Sequence, residues 1–517
     1  LSLKLADIKK IYGEPINGVH PQNQQFEAVV HDSRSVKANS VFVCIKGEKN
    51  DGHDFIDKAI LNGASVIIAE ENSRQKALIA VDSSASLFIV PKGRFALSEL
   101  SHILHNNPTK DIKLIGVTGT NGKTTVTHLI AQIISKHFSC KVGIIGTLGG
   151  KLFENGSFLK TLDFGSGRTT PEADELCLCF KEFINEGCEF VTMEVSSHSL
   201  EQGRVHGCRF DVAVMTNLTQ DHLDYHITME NYFLAKALLF QNLSQSQKAT
   251  FAVINLNSDW ATRFIEEIPK ETNLITYGVE QAKAKINAID VSLAIDLIKA
   301  KIEGAYGEGE LKLPLKGMFN LSNALAALGA CSALQVPLGE SLRILLDVQT
   351  APGRFQVVNK PFSGLPTCIV DYAHTPDGLE NVLKTAKELL VSGGRLISVF
   401  GCGGDRDTTK RPIMGRISEQ YADFTIITSD NPRTEDPHQI VSDIISGMQS
   451  TENVFVEINR AVAIEKAIRE AKPDDIVLIA GKGHENYQIF ANETIHFDDL
   501  EEVEKVFNKL TKTADKS

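Results

Sequence analysis

The stretch Gly119-Thr120-Asn121-Gly122-Lys123-Thr124-Thr125 restricts the fold more than any other. It follows the strand-like run 112–117 and leads into a helix-forming segment that begins at Thr124. A strand that turns through two glycines into a helix is a unit of parallel α/β domains. The glycines let the backbone close on a ligand, and the first N–H groups of the helix point at it. Phosphate oxygens suit such a turn. The Lys123 ammonium can reach the β- and γ-phosphates of a nucleotide, and the Thr124 hydroxyl can ligate Mg2+. The strict phosphate-loop pattern carries a further glycine five residues before the Gly-Lys glycine. Here that position is Val117, so the loop is a variant.

The same alternation runs through the chain and predicts an α/β fold with mainly parallel sheets. With 517 residues there is room for about three domains. Apolar runs at 41–45, 66–69 and 78–81 read as strands, and 55–62 reads as a helix. Strands follow at 112–117, 142–147, 190–194, 212–216 and 251–255. The Ala351-Pro352-Gly353 turn suits a linker. Beyond it, strands at 367–371, 395–400, 424–428 and 476–480 are interspersed with helices at 378–390, 438–448 and 460–471. The spans 1–108, 109–350 and 351–517 are therefore expected to be three domains, and the charged residues from Lys509 are expected to fray.

A net charge of −12 argues against a general binder of nucleic acid or anionic membrane, so an anionic ligand must be held by local basic sites. The chain has no apolar run of about 18 residues and no apolar secretory stretch near its start. No membrane span is expected, and a cytoplasmic monomer is. The nine cysteines include no Cys-x-x-Cys pair, which suits reduced thiols rather than disulfides or a zinc site.

With its flanks, Gly116-Val-Thr-Gly-Thr-Asn-Gly-Lys-Thr-Thr125 resembles the ATP loop of the Mur ligase and folylpolyglutamate synthase superfamily. Further motifs extend the resemblance over nearly the whole chain. It implies an ATP-dependent ligase that activates a carboxylate as an acyl phosphate, lets an amine attack it, and releases ADP and phosphate. It also implies a UDP-binding α/β domain at 1–108, a central P-loop-type ATPase domain at 109–350 and a Rossmann-like, amino-acid-binding domain at 351–517.

Met193-Glu-Val-Ser-Ser-His198 and the segment Thr216 to His226 each close an apolar strand, where ligands of open α/β sheets bind. Glu194 and His222 would hold a divalent ion there with Thr124. Histidine is an unusual ligand for Mg2+, but one that the family uses. Lys236, in Tyr232-Phe-Leu-Ala-Lys-Ala-Leu-Leu239, matches the lysine that CO2 carbamoylates in Mur ligases. The carbamate is an anion that can hold a second Mg2+ beside the transferring phosphate. Taken alone, Lys236 would read as a solvated lysine. Asn320 and Asn323 match family residues at adenine and ribose, although by themselves they would read as helix caps. By the same resemblance Arg354, Asp371 and His374 approach the nucleotide, with Arg354 on the transferring phosphoryl group and Asp371 on ribose.

Three features resemble the members that add meso-diaminopimelate to UDP-MurNAc-L-Ala-D-Glu. The first is Asp32-Ser-Arg-Ser-Val36 with the segment from Val41 to His53, which implies Ser33 on the uridine diphosphate and Glu48, Lys49 and Asn50 beside it. The second is Thr169, Thr170, Ser196, Gln202 and Arg204, which match residues holding the UDP-MurNAc-dipeptide; Arg204 suits a carboxylate or phosphate. Arg168 stands where the family has Asn. The third is Asp430-Asn431-Pro432-Arg433 together with Gly481-Lys-Gly-His-Glu485 and Arg406, each after a predicted strand. The resemblance implies that Arg433 grips the far carboxylate of diaminopimelate, Arg406 the second carboxylate, and Asp430 and Glu485 the ammonium groups. Elsewhere Arg433 would read as an exposed arginine after an Asn-Pro turn. A lysine-adding member is disfavoured by Arg433, and a folylpolyglutamate synthase by the first and third features. A nucleotide-switched motor is the alternative from another class.

Overall fold

The computed structural model describes residues 3–18, 21–47, 50–81, 84–164, 167–246, 248–293, 297–358, 360–361 and 364–514. Among them three main sheets follow one another along the chain, and the expected mainly parallel α/β architecture holds. The first sheet has four parallel strands in sequence order: Ala28–Val30, Ser40–Val43, Ala64–Glu70 and Ser86–Val90. The run 78–81, expected as a strand, is a correction. It falls largely in the helix Arg74–Ala80, and the strand of this region is Ser86–Val90. Arg, Gln, Lys, Ala and Leu are good helix formers. Only one side of the helix is covered: Ala77 is buried whereas Ile79 is 78% exposed. A short apolar run does not by itself separate strand from helix.

The central sheet has eleven strands. Its parallel strands lie in the spatial order Lys141–Gly146, Cys188–Glu194, Lys113–Thr118, Val212–Met215, Phe251–Asn255, Asn273–Val279 and Ile286–Leu293. Antiparallel strands extend both edges. Parallel strands covered on both faces read as near-continuous apolar runs. Helices Lys123–Phe138 and Met318–Ala333 cover one face through Val126, Leu129, Ile133, Leu321 and Leu325. Helices Ala173–Asn185 and Met229–Gln241 cover the other through Leu176, Phe180, Phe233 and Phe240. Every residue from Thr124 to Ser135 is buried, so the helix that follows the glycine-rich loop is held on all sides.

The third sheet has six strands, with Thr367–Asp371, Ile476–Ala480, Leu396–Phe400, Phe424–Ile427 and Val454–Val456 parallel and Gln356–Val357 antiparallel at one edge. The last helix, Asp499–Ala514, buries Val503, Val506 and Phe507. The tail expected to fray from Lys509 is therefore helical to Ala514, because one face of it is covered.

A buried ion pair pins this helix. Arg460 Nε and Nη2 each donate to Asp499 at 2.7 Å, and Nη2 also donates to the Ala480 carbonyl at 3.0 Å. Both side chains are fully buried. Removing one partner of such a pair leaves a stranded charge, at a cost of about 3–5 kcal/mol. Asp499→Leu is expected to lower the midpoint of thermal unfolding of this part by about ten degrees. An unchanged midpoint in calorimetry would show that the pair contributes nothing.

Candidate active site

Strands Cys188–Glu194, Lys113–Thr118 and Val212–Met215 are neighbours and end at one sheet edge, with Glu194 beside Val117 and Met215 beside Thr118. Three loops thus meet although their residues lie far apart in sequence. They line a cleft of about 870 Å³ that includes Lys123, Glu194, His222, Lys236, Arg354 and Asp371.

The loop needs its glycines. Gly119 has φ +149°, and a Cβ there would lie 1.8 Å from Thr216 Oγ1. Gly122 has φ +87°, and a Cβ would lie 2.3 Å from Asn323 Oδ1. Asn217 steadies the loop by accepting the Thr120 N–H on its carbonyl at 3.0 Å and the Asn121 N–H on its side chain at 2.9 Å. Lys123 Nζ donates to the Gly119 and Thr120 carbonyls at 2.9 and 2.8 Å. Burial lowers its pKa, against the pull of Glu194 and Asp221. Thr124 Oγ1 donates to Glu194 Oε1 at 3.0 Å and accepts from Arg354 Nη2 at 2.8 Å. Glu194 also accepts the Thr147 N–H at 3.0 Å. Thr125 is buried in the first turn of the helix.

Lys236 is not a surface lysine. It is 1% exposed, its Nζ donates to the Gly119 carbonyl at 2.9 Å and stands 4.5 Å from the Tyr232 ring centre. Burial, with Lys123 nearby, pushes its pKa well below the usual lysine range. It makes no ion pair among the described residues. His222 has φ +55° and caps the short helix Leu223–His226. Burial pushes its pKa down to about 3 against the opposing pull of Asp221, so the imidazole is neutral at neutral pH. Among the described residues no three His, Cys, Asp or Glu side chains converge on a ready metal cage.

The third sheet closes the cleft from the other side. Arg354 stacks on Tyr372 at 4.4 Å while reaching Thr124. Asp371 accepts the Phe355 and Ala373 N–H groups at 2.6 and 2.7 Å. His374 Nδ1 lies 2.9 Å from the Tyr372 carbonyl. Asn323 Nδ2 donates to Asn320 Oδ1 at 3.2 Å, and Asn320 in turn donates to the Lys316 carbonyl at 2.8 Å, so Asn323 faces the loop and Asn320 lies behind it. Two bridging residues have no sequence signal of their own. Asn121 Nδ2 donates to Asp377 at 2.7 Å, and Lys410 Nζ lies 3.6 Å from Asp221. Burial opposes the charge on Asp221, but His222, Lys410 and His374 outweigh it and keep the carboxyl below its usual range.

At the junction with the first sheet, Thr169 Oγ1 lies 3.1 Å from Thr147 Oγ1, and Thr170 Oγ1 donates to the Glu194 carbonyl at 2.9 Å. Ser196 Oγ caps a helix by accepting the Ser199 N–H. Arg204 donates to the Thr170 carbonyl at 3.0 Å and to Gln202 Oε1 at 2.6 Å. The buried Glu172, not singled out in the sequence, draws Arg94, Arg168 and Arg204 to 3.3 Å each. Glu172 thus gathers three guanidiniums at the junction, with Asp174 and Glu175 close by. Ser33 is buried and Asn50 exposed, whereas Glu48 and Lys49 lie outside the described residues.

A second polar cluster occupies the carboxyl edge of the third sheet. Asp430, Asn431 and Pro432 are buried, Arg433 and Glu485 are half-buried, and Arg406 is exposed. Arg433 has φ +52°, and its Nη1 donates to the Gly404 carbonyl at 2.6 Å. Burial and the neighbouring Arg406 both press against its charge. It makes no ion pair among the described residues. Gly481 has φ +119°, and a Cβ there would approach Asp430 Oδ2 to 3.1 Å. Burial and Asp430 raise the pKa of Glu485.

Three family models match: "Mur ligase family, catalytic domain" over residues 25–100, "Mur ligase middle domain" over 117–331, and "Mur ligase, glutamate ligase domain" over 353–483. A curated relative from Clostridium botulinum, UDP-N-acetylmuramoyl-L-alanyl-D-glutamate–2,6-diaminopimelate ligase, is 41% identical over 492 residues, covering 95% of this chain and 97% of its own. The protein of the same name from Geobacillus thermodenitrificans is 43% identical over 481 residues, covering 92% and 94%. A solved structure of that name superposes with a TM-score of 0.67 at 33% identity, covering 99% of this chain and all of the other.

Proposed function

This chain belongs to the Mur ligase family, and on that premise we propose that it adds meso-2,6-diaminopimelate to the D-Glu γ-carboxylate of UDP-MurNAc-L-Ala-D-Glu, with ATP cleaved to ADP and phosphate, in the synthesis of peptidoglycan precursor. Its substrates are small molecules, and no helix among the described residues is long and apolar enough to cross a membrane. We place the reaction in the bacterial cytoplasm. Residues 1–108 would bind the UDP moiety, 109–350 ATP, and 351–517 the amino acid. The observation that carries the choice of amino acid is Arg433, a half-buried guanidinium that makes no ion pair among the described residues, while Asp430, Glu485 and Asp405 act on its charge from further away.

The side chains suit these roles. The free N–H groups of the first helical turn and Lys123 would hold the ATP phosphates. Arg354 would neutralise charge on the phosphoryl group, and Asn320, Asn323, Asp371 and His374 would form the walls around the nucleoside. Ser33, Asn50, Thr169, Thr170, Ser196, Gln202 and Arg204 would hold the UDP-MurNAc-dipeptide, with Glu48 and Lys49 in the same loop by resemblance. Arg168 would act through Glu172 in place of the family's Asn.

The Thr124 hydroxyl and the Glu194 carboxylate, 3.0 Å apart, are hard oxygen donors, and His222 is a neutral imidazole, so the set fits Mg2+. Bound there, the ion would supply charge neutralisation for the phosphates. Lys236 fits carbamoylation because its amine is buried, depressed in pKa and without an ionic partner, which favours the neutral form that CO2 requires.

Mass analysis of the product tests the function: with diaminopimelate the product should gain one diaminopimelyl residue, and ADP should form only when both other substrates are present. ATP hydrolysis that needs neither would point to the switch-type alternative. Lys236→Ala is expected to be nearly inactive and to regain part of its activity with formate, which replaces the missing anion. Full activity without formate would remove Lys236 from the site.

A further inference from the structure

Lys482 lies inside the Gly481–Glu485 segment and carries the most completely buried ammonium of the third sheet, at 0% exposure. Its Nζ donates to Asn431 Oδ1 at 2.9 Å and to the Tyr487 carbonyl at 2.7 Å. Two carboxylates flank it, Asp430 at 3.2 Å and Glu485 at 3.6 Å. Asn431 Oδ1 also accepts the Ile489 N–H at 3.0 Å, which settles the orientation of its amide. With the oxygen taken by two donors, Asn431 Nδ2 is turned to Glu485 Oε2, 3.0 Å away.

We propose that Lys482 is a positioning residue for the amino-acid substrate: it shares one internal positive charge between Asp430 and Glu485 and, through Asn431, aims Glu485 into the site. This rests on the reading of the site as the diaminopimelate pocket. Without Lys482 the two acidic groups carry two negative charges at close quarters, and one of them takes up a proton instead of receiving substrate. With it, the two carboxylates and the lysine carry a net charge of minus one and match a single ammonium; Arg460, the other cation near both carboxylates, is already paired with Asp499. Arg433 and Arg406 on the adjoining loops supply the complementary positive charge. The arrangement therefore selects an amino-acid head that presents one ammonium and one carboxylate together. A diamine end or a lone carboxylate meets only half of it.

The test uses the full chain and three Michaelis constants. In Lys482→Met the KM for diaminopimelate is expected to rise by at least about thirty-fold. The KM values for ATP and for UDP-MurNAc-L-Ala-D-Glu should stay within about twofold, because the side chains that Lys482 contacts, Asn431, Asp430 and Glu485, are none of those assigned to these two ligands. The acid limb of kcat/KM for diaminopimelate should move to higher pH by about one unit, since losing the cation raises the pKa of the carboxylates. A diaminopimelate KM within about threefold of the unmodified enzyme, an unmoved acid limb, or a parallel rise of all three KM values would overturn the inference. Should Lys482→Met not fold, Asn431→Asp decides. It keeps the lysine but sets a carboxylate against Glu485, so the same selective KM rise is expected, and an unchanged KM counts against the proposal. No product from the unmodified enzyme with diaminopimelate would instead overturn the underlying assignment, and this inference with it.

Discussion

Lys123→Ala is expected to lower ligation by about a thousandfold or more while leaving the fold intact. Among the described residues the Lys123 ammonium hydrogen-bonds only to the Gly119 and Thr120 carbonyls, both within its own loop. The helix behind it is held by Val126, Leu129 and Ile133, which the substitution does not touch. The loss therefore falls on the chemistry. A half-buried ammonium aimed at a transferring phosphoryl group acts where solvent screening is weakened, and it is already in place when charge develops. Its pKa is lowered by burial before any nucleotide is bound. Phosphate oxygens relieve that burden and would draw the ammonium away from the loop carbonyls. Circular dichroism and thermal unfolding should match those of the unmodified protein, and single-turnover ADP formation should be lost. Near-normal turnover would sink the assignment of this loop to ATP.

The second large effect is amino-acid choice. The unmodified enzyme is expected to prefer meso-diaminopimelate strongly over L-lysine in kcat/KM, and Arg433→Ala to lose most of that activity. Diaminopimelate carries a second ammonium and carboxylate at its far end, whereas lysine ends in an ammonium alone. With lysine bound, Arg433 would face a cation and keep its charge unpaired. Burial and Arg406 already work against that charge. A site built for a charged partner rejects an analogue that lacks it, because the group in the site is left stranded. Losing one desolvated pair costs about 2–5 kcal/mol, roughly thirty- to several-thousand-fold. In Arg433→Ala the KM values for ATP and the UDP substrate should change little. Lysine activity need not appear, since no anion is added for its ε-ammonium. Equal use of the two amino acids, within about threefold, would refute the choice of diaminopimelate, because a stranded charge discriminates far more strongly.

The central elements were legible because their cause is local. The run 251–254 is apolar throughout since its strand is covered on both faces, and the spacing of the glycine-rich loop reflects backbone positions that only glycine can occupy. The run at 78–81 misled because apolar character alone does not distinguish a strand from a helix with one exposed side.

By itself the sequence determined the alternating α/β pattern, the phosphate loop between strand and helix, and, through its motifs, the family. It could not determine which side chains meet. Lys236 looks like any helical lysine, yet strand order brings it under Gly119, 117 positions away, where burial and Lys123 lower its pKa well below the usual lysine range. Asp377, Lys410, Glu172 and Lys482 stand out only in three dimensions, as partners of Asn121, Asp221, Arg204 and Asn431. Motif spacing and residue type are properties of the chain, and any chain with that pattern displays them. Charge state and pairing depend on what is packed within a few ångströms, and only the tertiary structure decides that, because burial strips away the solvent that otherwise makes all lysines and all carboxylates alike.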